Sequence, residues 1–159
     1  MKRKKKDPGS GIASNRRARF DFVFNEEYEA GIVLIGSEVK SLRVGQVQMR
    51  EAYGLVRHGE VWLVGMHIAP YEMARHGGHE AKRERKLLLH SREIGRISRR
   101  VKERGLTIVP IRMYWKNGRV KVLIGVGRGS RHYDKREKLK ARDMEREARR
   151  AMSGRDRSR

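Results

Sequence analysis

The stretch LTIVPIRMYWKNGRVKVLIGVG, from Leu106 to Gly127, places the tightest constraint on what this chain can fold into. Asn117-Gly118 stands between two runs rich in β-branched and aromatic residues, and that dipeptide favours a two-residue hairpin because both members accept positive φ. After the turn, Val120, Val122, Ile124 and Val126 share one face of an extended strand. Before it, Pro110 has no backbone N–H, so the first strand is expected to sit at an edge or to bulge there.

Strand-like runs recur upstream. Phe20, Phe22 and Phe24 alternate with Asp21 and Val23, and AGIVLIG from Ala30 to Gly36 forms a second run. Val47 to Val56 and Glu60 to Ile68 flank His58-Gly59, which predicts another hairpin. Ser37 as N-cap and Gly45 as stop bracket a short helix carrying Val39 and Leu42. From Ser91, Ile94, Ile97 and Val101 form the apolar stripe of a second helix with a broad basic face, closed by Gly105. About six short antiparallel strands with two or three helices predict a mainly β fold, a small closed OB-like barrel, since closure removes exposed edges.

Charge narrows the partner. The 159 residues include 40 Lys plus Arg against 19 Asp plus Glu, a formal net charge of +21. Such an excess is foreign to a generic metabolic enzyme and calls for a polyanion, nucleic acid first, with an anionic membrane surface as the rival. No apolar run approaches a membrane span and no apolar segment follows the basic N-terminus, so a cytoplasmic chain without a membrane partner is expected. The lack of Cys removes thiolate nucleophiles and Cys-type zinc sites. Composition divides the chain into a flexible basic arm over 1–14, a folded domain over 15–128 and a basic tail over 129–159.

Little in the sequence points to catalysis or to a bound metal. His76-Gly-Gly-His79-Glu80 offers two imidazoles without a further ligand cluster and reads as a polar loop. Asp21 with Glu38-Val39-Lys40 weakly resembles the metal-binding set of a nuclease superfamily, but that set carries its E-x-K on a strand, and here it falls in the short helix. Neither a catalytic residue nor a cofactor is expected, with a metal-dependent nuclease as one alternative. Basic clusters at Asn15 to Arg19 and Lys82 to His90, with Tyr28, Tyr71, Tyr114 and Trp115 available for stacking, favour RNA. A ribosomal or assembly protein that binds ribosomal RNA directly is the competing reading.

Taken together, NRRAR from Asn15, EEYEAGIVLIGSEVKSLRVG from Glu26, Tyr53, GEVWL from Gly59, RKLLLH from Arg85, the GLTIVPIRMYWKNG region and RGSRHYDKR ending at Arg136 resemble the SsrA-binding protein (small protein B) family. The resemblance holds in register from about Asn15 to Arg136. It implies a monomeric OB-type barrel that binds the tRNA-like domain of transfer-messenger RNA and serves trans-translation, the rescue of stalled ribosomes, as a non-catalytic adaptor. The elongation factor that carries the charged RNA is an indirect partner. Asn15, Glu29, Leu88 and His90 are thereby assigned to the RNA surface, and Arg16, Arg17, Lys40 and Lys86 to phosphate contacts. Glu29 either accepts from a base or orients an arginine. Ser130 stands where many members carry Lys.

The tail acquires a role from the same resemblance. From Ser130 to Met152 it contains no Gly or Pro, and Asp134–Lys138 and Glu145–Arg149 are favourable i, i+4 pairs. Its apolar stripe of Ala141, Met144, Ala148 and Ala151 is thin, and isolated helices are marginal in water. A tail that is disordered alone and helical in an RNA-lined channel is the expectation. The resemblance sends it into the small-subunit decoding centre and messenger channel, with Tyr133 stacking on a base. Asp134, Lys135 and Arg136 anchor the segment that leaves the barrel at Gly129, and Lys138 lies one turn further on.

Overall fold

The computed structural model describes residues 11–74 and 78–155, with side chains outside 131–134 and 154–155. The chain begins with β1 (Gly11–Ser14), α1 (Ala18–Asp21), β2 (Phe22–Ile32) and α2 (Gly36–Arg43). Then come β3 (Val47–Gln48), β4 (Tyr53–Arg57), β5 (Glu60–Val64), β6 (His67–Ile68) and β7 (Arg85–Leu88). The last elements are α3 (Ser91–Arg104), β8 (Thr107–Lys116), β9 (Arg119–Gly129) and α4 (Ser130–Arg155). None of the helices among these residues is long and apolar enough to cross a membrane.

The expected hairpin forms between β8 and β9, with Asn117 at φ 51° and Gly118 at φ 71°. β9 then pairs with β2 along its length, β2 with β7, β7 with β5 and β5 with β4. Gly54 of β4 meets Ile108 of β8 and closes a ring of six antiparallel strands. Val122, Ile124 and Val126 point inward, to be packed with Ala30, Val61, Leu63, Leu87, Ile108 and Met113. Ile97 of α3 is fully buried in the same core, so the amphipathic helix plugs the barrel with its apolar stripe and leaves its basic face outside. Backbones approach closely between β2 and β9: a Cβ on Gly127 would fall 2.0 Å from the Val23 carbonyl oxygen.

Pro110 explains how β8 serves more than two neighbours. The register of β8 against β9 shifts between Pro110 and Arg112, a bulge where the proline has no N–H to give. Before the bulge the outer edge of β8 pairs with β4; beyond it the same edge pairs with β1. Asn15 sits at the changeover. Its backbone N–H donates to the Ile111 carbonyl at 2.7 Å, and its side-chain amide donates to the Pro110 carbonyl at 3.1 Å and the Met49 carbonyl at 3.4 Å. Gly11–Ser14, expected within the flexible arm, is therefore a sheet strand, because the bulge leaves an unpaired edge that it satisfies.

Other boundaries also move. Phe20 belongs to α1 and is 85% exposed, so only Phe22 and Phe24 keep the strand alternation, with their rings stacked at 6.0 Å. The segment expected as one strand over Val47 to Val56 is split into β3 and β4 by a turn, and β3 pairs with β6 in a separate two-stranded sheet. α2 starts two residues earlier than expected, with Ile35 in place of Ser37 as N-cap: Glu38 accepts the Ile35 backbone N–H at 2.9 Å, while Ser37 faces His79. The tail is helical over its described length, about 39 Å by helix rise. Leu139, Met144 and Met152 stay exposed along it.

Two charges lie fully inside. Glu38 of α2 and Arg85 of β7 are both completely buried and paired through Arg85 Nε. Arg85 spends its remaining donors on the Met66 carbonyl at 2.9 Å and the Ala81 carbonyl at 3.1 Å, and Arg83 reaches the other Glu38 oxygen. Burial acts against the Glu38 carboxylate, but hydrogen bonds from Arg83, the Ile35 N–H and Arg85 outweigh it and hold the carboxyl below its ordinary value of 4.5. A group depressed in the folded state contributes its full stability above the unfolded value and loses it as pH falls through the folded one. Glu38→Gln should thus cost about 3–5 kcal/mol at neutral pH by stranding Arg85. Thermal melts of the unsubstituted chain should fall as pH drops below 4.5, and those of Glu38→Gln should fall less steeply; equal pH slopes would refute this account.

Candidate nucleic-acid interface

Strand register assembles the outer wall of the barrel. Residues directly across neighbouring antiparallel strands share a face, and one such row runs Tyr114, Lys121, Gly31, Leu88 across β8, β9, β2 and β7. A second runs Arg112, Leu123, Glu29, and a third Lys86, Trp62, Leu55. Glu29, Lys86 and Leu88 therefore occupy one continuous wall. Leu88 is 51% exposed because its inward neighbour Leu87 takes the core position, and it lies over Gly31, where a Cβ would meet Leu88 Cβ at 3.2 Å. His90, also exposed, opens α3 just beyond Leu88, its backbone N–H donating to Glu93 at 3.1 Å.

The wall is charged but organised. Glu29 accepts from the Tyr114 hydroxyl and from Lys116 Nζ at 2.9 Å, and these two contacts, the tyrosine first, hold its carboxyl below the ordinary range. Tyr114 is itself pushed up, by burial and then by its bond to Glu29. Arg112 stacks over the Tyr114 ring at 4.8 Å. Glu29 is thus a fixed, ionised acceptor beside Lys116 and Arg112. Lys86 Nζ pairs with Glu60 at 2.8 Å, a partly exposed pair that phosphate competes for at little cost.

The other expected contacts lie elsewhere. Arg16 and Arg17 are exposed beside Gln48 and Arg50, presented by Asn15, whose own side chain is buried and turned to backbone carbonyls. This corrects the placement of Asn15 on the contact surface: its amide completes the β8 junction. Lys40 projects from α2 with Nζ 5.5 Å from the Tyr71 ring centroid, in a hollow shared with Ile35, Met73 and Gly78. Of the aromatics expected to stack, Tyr114 is buried and Tyr28 is bonded to Glu26, its hydroxyl raised to about 12 by burial and then by that carboxylate. Trp62 is the aromatic that sequence reading missed. The alternation of EVWLV put Val61 and Leu63 inside, which leaves Trp62 outside by the same rule.

The tail root forms a separate basic group. Arg104, Arg128 and Arg136 line one hollow with Gly105, Thr107 and Gly129. Ser130 Oγ donates to the Phe20 carbonyl at 2.9 Å, so the residue that replaces a family lysine ties α4 to α1. Lys135, Arg136 and Lys138 are exposed, while the side chains of Tyr133 and Asp134 lie outside the described residues. Phe22 pairs with Gly129 at this end of β2 and Gly31 with Leu88 at the other, a separation of about 30 Å along the strand.

The metal and nuclease readings meet committed side chains. His79 uses both ring nitrogens, on Ser37 Oγ at 2.9 Å and the Ile68 carbonyl at 3.0 Å, and His76 lies outside the described residues. Glu38 is sealed between Arg83 and Arg85, which overturns it as a metal ligand in an E-x-K set. Among the described residues, no three His, Cys, Asp or Glu cluster closely enough to hold a metal ion.

A closed β-barrel with a basic outer wall and a long basic helix projecting from its end defines a small nucleic-acid-binding class of protein. Comparison with known proteins makes the class specific. The SmpB protein family matches residues 12–154, and the chain belongs to that family. An SsrA-binding protein of Oleidesulfovibrio alaskensis is 51% identical over 152 residues, covering 96% of this chain and 98% of the relative. One from a Geobacillus species is 49% identical over 147 residues, covering 92% and 95%. A solved chain from a study of tmRNA–SmpB at the centre of the bacterial ribosome is 44% identical, with a TM-score of 0.63 over 76% of this chain and 85% of that one. On the wall itself, Tyr114→Phe should let the Glu29 carboxyl rise towards 4.5, read by carboxyl NMR titration, and should cost about 1–2 kcal/mol of stability. An unmoved Glu29 titration would show that Lys116 alone holds it.

Proposed function

We propose that this protein is an RNA-binding adaptor of trans-translation, with two contact regions that act on different partners. The barrel wall of Glu29, Lys86, Leu88 and His90 takes the tRNA-like domain of transfer-messenger RNA. Leu88 packs against a base or ribose, Glu29 accepts from a base edge, and Lys86 and His90 meet phosphate or ribose. Arg16, Arg17 and Lys40 add phosphate contacts at the margins, with Asn15 acting through the backbone that presents the arginines. The α4 tail enters the decoding centre and messenger channel of the small subunit, where Tyr133 stacks and Asp134, Lys135, Arg136 and Lys138 anchor it. The chain performs no catalysis of its own, and the factor that carries the charged RNA joins through the RNA.

The observation that carries this reading is the separation of the wall from the tail root, about 30 Å along β2, which supports two distinct contact regions. The tail suits a channel. Its described apolar side chains are exposed, Ser130 at its start bonds the Phe20 carbonyl of α1, and Glu145–Arg149 at 2.8 Å is a surface pair of small worth. Such a helix is marginal in water and gains most of its stability from surrounding phosphate.

A chain truncated after Gly129 should bind transfer-messenger RNA within about twofold of the full chain and lose tagging on stalled ribosomes, whereas Leu88→Glu should bind that RNA at least about tenfold more weakly. Filter binding and a reconstituted tagging reaction measure the two. A truncated chain that loses RNA binding would refute the division of labour.

A further inference from the structure

α3 carries a feature that neither the core nor the two contact regions require. Gly95 lies in the middle of this helix, where glycine is among the poorest choices. Packing does not call for it, since a Cβ there would meet nothing within 4 Å. Backbone geometry does not call for it either, because Gly95 is not among the residues with positive φ. What the missing side chain leaves is an open spot on the exposed face of the helix.

The residues one turn away on either side are Ser91 and Arg92 before it, and Ser98 and Arg99 after it. Arg92 and Arg99 stand about 10 Å apart along the axis with the gap between them. Arg92, Arg96 and Arg99 are exposed and have no ion pair among the described residues, unlike Arg100, which holds Glu26 at 3.0 Å. Of the two acids on this helix, Glu93 takes the His90 N–H, and Glu103 lies beyond Arg99 near the far end. No exposed apolar residue shares this face, so it lacks the apolar centre of a protein interface. Its chemistry is guanidinium and hydroxyl around a place where a partner's backbone can come close.

We propose that Gly95, flanked by Arg92, Ser98 and Arg99, is a seat for a backbone phosphate of duplex RNA. Guanidinium groups clamp the anion from both sides, the hydroxyls donate to it, and the absent side chain lets the sugar–phosphate chain lie against the helix. A rigid helix that meets only phosphates reads duplex shape without sequence. The seat deepens the adaptor reading, on which it rests for RNA as the partner. It places a third contact between the wall, which ends at His90, and the tail root, which begins at Arg104.

The full chain is titrated in parallel with a 16-base-pair RNA duplex of arbitrary sequence and with the isolated tRNA-like domain, over a range of salt, the duplex length being of the order that shape-reading domains span. Gly95→Leu, a better helix former, should melt no lower than the unsubstituted chain and bind the duplex about tenfold more weakly. The paired change Arg92→Gln with Arg99→Gln should lower the log–log salt slope for the duplex by about 1 to 2. Duplex binding by Gly95→Leu equal to that of the unsubstituted chain, an unchanged slope in the paired variant, or no duplex binding at all would overturn the seat. Failure of the unsubstituted chain to bind the tRNA-like domain would instead overturn the adaptor reading, which makes the two failures separable.

Discussion

The ion pair between Glu38 and Arg85 is the constraint that the arrangement of the wall depends on. Neither group tolerates burial alone, so each fixes the position of the other. Glu38 also takes the Ile35 N–H and begins α2, while Arg85 holds the carbonyls of Met66 and Ala81 on the way into β7. The pair therefore joins α2, the connection after β6 and the start of the strand that presents Lys86 and Leu88. Its value lies less in net stability than in excluding other registers of β7. A slip of one residue would put Leu88 inside and Leu87 outside.

Much of the barrel was legible because its signals were local. Asn117-Gly118 and His58-Gly59 mark both long hairpins by backbone chemistry alone, and the alternation in β9 assigns its faces without reference to the rest of the chain. Gly105 ends α3 at φ 60°, as its position after the last basic turn implied. Pro110 marked the bulge. Lys86, Leu88 and His90 came from the family resemblance and not from local signals; they fall close together in sequence, so a single β-strand and helix start carries them to one place.

What escaped sequence reading was long-range. Gly11–Ser14 has the composition of a flexible arm, and nothing within it reveals that a proline about a hundred residues later leaves an edge for it to fill. The family resemblance put Asn15 on the RNA surface, yet its amide is spent on carbonyls from β8 and from the segment after β3. Glu29 was expected to meet either RNA or an arginine. Its partners are a tyrosine and a lysine from β8, which the shared pairing of β8 and β2 with β9 brings to the same face. Burial of Glu38 likewise follows from a contact across 47 residues, and no local pattern separates it from the exposed acids around it.

The single strand β2 has a mechanical consequence. Hydrogen-bonded to β9 along its length, it is inextensible and resists bending except at the register shift between Phe24 and Glu26. It acts as a gauge block: whatever is held at Gly31 and whatever receives the tail beyond Gly129 must present themselves at a set spacing and a set rotation. A partner that offers either surface alone meets half of the gauge, and the spacing between the two ends is set by the strand and not by a hinge.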